Sequence, residues 1–156
     1  MRSVSVRAAH SDGGETLIEL LMAVVIMGIA IVAVVGGIST SIMMSDIHHK
    51  QATAGAYVRD FAEAVENGVA TSSKYTTGAT AATVYGGLYA PPISGYAASV
   101  TAVVCWSGSA FGAVEPCTDN GVQKVSLKVT SSDGRASETL DVIIRKPCRP
   151  SDTACS

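Results

Sequence analysis

No cluster of basic residues runs through this sequence: its eleven lysines and arginines are scattered and its formal net charge is −2. It therefore carries no electrostatic footprint for nucleic acid, and direct contact with nucleic acid is not expected. No CxxC pair occurs among the four cysteines, and the histidines are His10, His48 and His49 alone, so a zinc-type ligand spacing is missing. On a helix the adjacent His48 and His49 point about 100° apart and read as solvated residues. There is no nucleophile motif and no glycine-rich phosphate loop, while Asp119, Asp133 and Asp141 read as turn or strand-face residues. Neither an enzyme nor a bound cofactor or metal is expected on that basis. A chain of 156 residues has room for one domain with a modest core.

The most informative absence is that of charge between Leu20 and Ile38, a run of 19 residues. As a helix this run covers about 28 Å, close to the roughly 30 Å hydrocarbon thickness of a bilayer, so it can span once. A soluble amphipathic helix would carry a polar stripe at helical spacing, and this run has none. The apolar fraction of 47% is concentrated here, and the remainder reads as an ordinary polar domain. A cleaved secretory signal would show a shorter apolar run, a basic flank and a small-residue cut site beyond it. The flank here carries Glu15 and Glu19 instead.

A carboxylate at the membrane end of such a helix is costly away from water and marks a function or a partner. Glu19 can be satisfied near lipid headgroups, or by a cation that becomes available only when subunits meet. The segment Gly14-Glu15-Thr16-Leu17-Ile18-Glu19-Leu20-Leu21 resembles the type IV prepilin signature, a glycine followed by one residue, then Thr-Leu-Ile-Glu and an apolar helix. The resemblance covers about the first quarter of the chain. It implies that a prepilin peptidase cuts after Gly14 to leave Glu15 as the mature N-terminus, and that the same enzyme methylates the new amine. It also implies that Glu19 pairs with the terminal ammonium of a neighbouring subunit during assembly. A terminal amine with a pKa near 8 is cationic at neutral pH, and burying two opposite charges together costs far less than burying either alone. The chain departs from the family at the first mature position, where Phe or Met is usual and Glu15 stands. Cutting after Gly13 would displace Glu19 by one place.

The organisation that follows is a leader over 1–14, a transmembrane and assembly helix over 15–38, an amphipathic helix half over 39–68, and a loop and sheet head over 69–156. Arg2 and Arg7 against Asp12 make the leader weakly basic, which keeps it cytoplasmic and places the C-terminal domain outside. Beyond Ile38 the residues Ile42, Ile47, Ala54, Val58, Phe61 and Val65 recur at helical spacing. Asn67-Gly68 is read as the helix stop, and the Gly36-Gly37 pair as a place where the helix loosens.

Residues 71–95, rich in Thr, Ser, Gly and Ala, read as a surface loop that the interspersed Tyr75, Tyr85, Tyr89 and Tyr96 pack onto the domain, with a short strand near Thr83 to Tyr85. Strands are expected at Ser99 to Trp106, Val122 to Thr130 and Glu138 to Arg145, the last two joined by a hairpin at Ser131-Ser132-Asp133-Gly134. Val125, Leu127 and Val129 share one face, as do Leu140, Val142 and Ile144. The fold class is α+β: a long N-terminal helix, half apolar and half amphipathic, packed on a head of three or four antiparallel strands. The resemblance implies the same layout.

Cys105, Cys117, Cys148 and Cys155 all fall in the exported part, where disulfides form. Three pairings are possible. Cys105 with Cys117 and Cys148 with Cys155 are favoured, because each closes a short local loop.

The resemblance implies a homo-oligomeric helical filament, with a prepilin peptidase, an assembly ATPase, membrane platform proteins and, before assembly, the lipid bilayer as partners. The expected location is the cytoplasmic membrane and then a cell-surface pilus. Two other readings stand beside it: a pseudopilin of a type II-like secretion system, and a monomeric membrane-anchored binding domain.

Overall fold

The structure is a computed structural model and describes residues 17–78, 80–114 and 119–148. Its elements are the helices α1 (Leu17–Ser72) and α2 (Ala81–Gly86) and the strands β1 (Tyr96–Trp106), β2 (Phe111–Val114), β3 (Val122–Ser131) and β4 (Ser137–Arg145). The chain divides into two compact units, Met1–Met44 and Ser45–Ser156.

No proline interrupts the sequence from Leu17 to Ser72, and α1 is helical throughout, Gly36 and Gly37 included. Beside that pair the Ser39 and Thr40 hydroxyls donate to the carbonyls of Val35 and Gly36, each at 3.0 Å. Every described residue of the first unit is exposed. That includes Ile42, which the sequence places on the buried stripe but which is 66% exposed. The stripe begins only at Ala54.

In the second unit the helix buries Ala54, Val58, Phe61, Val65 and Val69 in one core with Val103, Val125, Leu127, Val129, Val142 and Ile144 of the sheet. These residues recur three or four apart on the helix and two apart on the strands, which brings one apolar stripe against one apolar face. Four strands lie in the order β2-β1-β3-β4 with every neighbouring pair antiparallel. The expected β3–β4 hairpin is present, with Thr130 opposite Ser137 and Gly134 at φ +69° in the turn. In β1 the register shifts between Val100 and Ala102, so Tyr96, Ala98 and Val100 and then Val103 all reach the core. The extra residue changes the parity of the strand.

Two expectations are corrected. The helix does not stop at Asn67-Gly68 but runs to Ser72 and closes with Ser73 at φ +57°, the Lys74 N–H reaching the Gly68 carbonyl at 3.1 Å. Gly68 is there for proximity instead: a Cβ on it would lie 2.8 Å from Leu88 Cδ1. The short strand near Thr83 to Tyr85 is the helix α2, because Ala81 and Tyr85, four apart, are both fully buried there. Helical spacing puts those two side chains on one face, which outweighs the β-propensity of Thr83, Val84 and Tyr85.

Candidate functional site

Leu20 to Ile38 is wound as one uninterrupted stretch of α1 with apolar side chains on all sides. Leu17 is 83% exposed, and Leu20, Val24, Ile31 and Ile38 all exceed half exposure. A soluble monomer rarely leaves an apolar patch above a few hundred Å² in water, and this surface surrounds a helix of bilayer length. α1 is long and apolar enough to cross a membrane. Glu19 is the one acidic residue in its first turn, and its side chain is exposed. Removing water from this end of α1 leaves Glu19 in need of a cation.

The predicted cleavage residues Gly14 and Glu15 lie outside the described residues, as do Cys117 and Cys155. Cys105 is buried in β1 and Cys148 is exposed after β4; both are disulfide-bonded. Among the described residues no group of His, Cys, Asp or Glu has metal-binding geometry. His48 and His49 are exposed on α1.

Two polar arrangements in the second unit escaped sequence reasoning. Gln123 is fully buried on the inner face of β3, a position its alternation with Val125 and Leu127 could have flagged. Its Oε1 accepts from the Tyr85 hydroxyl at 2.8 Å, while its Nε2 donates to the Thr76 carbonyl at 3.1 Å and to Asp119 at 3.0 Å. Asp119 also accepts from Tyr75 at 2.7 Å, so the tyrosines pack the 71–95 segment onto the domain as expected. Secondly, Lys50 of α1 bridges Asp133 at 2.7 Å and Asp46 at 2.8 Å. The Lys50 ammonium, the Ser131 hydroxyl and the Arg135 N–H hold the Asp133 carboxyl well below the usual carboxylate range. These bonds tie the segment before α2 to β3 and the β3–β4 turn to α1.

The outer face of the sheet carries a third feature. Trp106 and Phe111 sit opposite each other across β1 and β2, ring centroids 5.0 Å apart, beside a cleft that Val122, Ile143 and Arg145 complete. Compared with family models, with curated proteins and with solved structures, the chain matches none.

Proposed function

We propose that the chain is a structural subunit of a type IV pilus-like surface filament, cut after Gly14 by a prepilin peptidase and assembled through α1. The observation that carries this reading is the exposure of an uncharged apolar helix of bilayer length with Glu19 one residue before its charge-free stretch. Such a surface requires cover, first by lipid and then by the same helix of neighbouring subunits. The exchange replaces one apolar surrounding by another and so contributes little net free energy. Glu19 and the terminal ammonium of a neighbour then set the register, because each lacks a partner until the other arrives. An assembly ATPase and membrane platform proteins supply the work of extraction. The expected location is the cytoplasmic membrane with the C-terminal domain outside, then the cell surface.

The test is the intact mass of protein recovered from a sheared cell-surface fraction, for the natural chain and for Glu19→Ala. A mass beginning at Glu15 and four hydrogens light supports cleavage after Gly14, surface assembly and two disulfides together. Glu19→Ala should stay in the membrane and vanish from the sheared fraction. Normal surface yield from that variant would sink the pairing, and an uncut chain confined to membranes would favour the anchored monomer.

A further inference from the structure

The chain has one tryptophan, and it lies on the side of the sheet turned away from the core. Inward positions of β1 and β3 hold Val103, Cys105, Gln123 and Val125, all buried, so Trp106, Val122 and Lys124 alternate outward. On β4 the outward residues are polar except Ile143, which is 56% exposed. Trp106, Phe111, Val122, Ile143 and Arg145 line a cleft of about 280 Å³. Apolar groups gathered at one end of a solvent face, with aromatic and arginine members, have the composition of a protein-binding surface.

The charge of this face opposes that of the chain. Around the cleft the outward residues of β3 and β4 include Lys124 and Arg145 against the single carboxylate of Asp141, while the chain as a whole is at −2. Lys124 is committed, 3.3 Å from Asp141 and 5.9 Å above the Phe111 ring. Arg145, in the wall of the cleft, makes no ion pair among the described residues.

From this charge complementarity and the cleft's lining we infer that the outer face at Trp106, Phe111, Ile143 and Arg145 docks an acidic polypeptide segment. Its apolar side chain enters the cleft and a flanking carboxylate meets Arg145. Aromatic anchors supply the contact area, and the guanidinium takes a carboxylate in two parallel hydrogen bonds. The occupant is a protein partner other than a second subunit, and the inference does not depend on the filament reading.

Trp106 is the chain's own fluorescent reporter. The full chain in nanodiscs of neutral lipid is titrated with a short peptide of alternating leucine and glutamate. A saturable change in emission is expected, weakened about ten-fold or more by Arg145→Glu and little altered by Lys128→Glu, the same charge change elsewhere on that face. Ile143→Ser should weaken it too, with unchanged circular dichroism excluding misfolding. Any of four results would overturn the inference: no saturable response, equal loss in Lys128→Glu, an equal response to a leucine–lysine peptide, or an equal response to polyglutamate. An equal response to oligothymidine would assign the face to nucleic acid. A change in emission with protein concentration alone would assign it to a second copy.

Discussion

The Tyr85 hydroxyl lies 2.8 Å from Gln123 Oε1, and both side chains are fully buried, so α2 is joined to β3 by a hydrogen bond sealed from water. The same hydroxyl accepts from the Thr76 N–H at 3.0 Å. Removing the phenolic oxygen deletes its hydrogen bonds to Gln123 and Thr76 inside the domain, which costs about 1–3 kcal/mol. Tyr85→Phe should therefore lower the stability of the second unit by that amount in chemical denaturation. Gln123→Leu with Tyr85→Phe should cost less than the two single changes added, because both orphaned ends then disappear together.

The Lys50 bridge to Asp133 gives the β3–β4 turn a pH dependence of definite sign. Asp133 is depressed, so its contribution is present above the ordinary aspartate pKa and is lost as pH falls through the depressed value. Lys50 is raised by its hydrogen bonds to Asp133 and Asp46, so its contribution is present below the ordinary lysine pKa and is lost as pH rises through the raised one. The turn should be held most firmly from about pH 5 to 9. Amide exchange at Gly134 and Arg135, corrected for intrinsic rates, should quicken on the acid side. Asp133→Asn should remove that acid limb, and salt should weaken the bridge in the natural chain because it is exposed.

Glycines on the same helix should respond oppositely to alanine. A Cβ at Gly55 meets nothing within 4 Å, so Gly55→Ala should stabilise by about 1 kcal/mol through helix propensity. At Gly68 the new methyl would fall 2.8 Å from Leu88 Cδ1, and displacing that side chain costs about 1–3 kcal/mol, cancelling or exceeding the helix gain. Gly68→Ala should be neutral to destabilising in thermal melts, and Leu88→Ala in the same chain should recover part of the loss.

Cys105 is disulfide-bonded within a strand that supplies the buried core. Reducing that crosslink should lower stability by about 2–4 kcal/mol. The comparison is a denaturation midpoint with and without a reductant that leaves the secondary structure at zero denaturant unchanged.

Truncating the core ranks the interior. Phe61 is fully buried and stacks on Tyr89 at 5.3 Å, so Phe61→Ala should cost about 3–5 kcal/mol. Ile42→Ala, at an exposed position of the first unit, should leave the stability of the second unexchanged within error of the same denaturation assay.

Local periodicity alone determined much of this molecule. Alternation marked β3 and β4, the Ser-Ser-Asp-Gly turn joined them, and the uncharged run with Glu19 before it marked α1, since each signal lies within a few residues. Tertiary packing decided the rest. Thr83, Val84 and Tyr85 have strand-like side chains, yet the segment winds into a helix because burying Ala81 and Tyr85 on one face outweighs a propensity worth only a fraction of that burial. Gly68 reads as a stop signal in one dimension and is a contact with Leu88 in three. The outward placement of Trp106 follows the extra residue in β1, a register shift between Val100 and Ala102 that only pairing with β3 reveals. A bulge is set by which strand lies alongside, and no single segment contains that information.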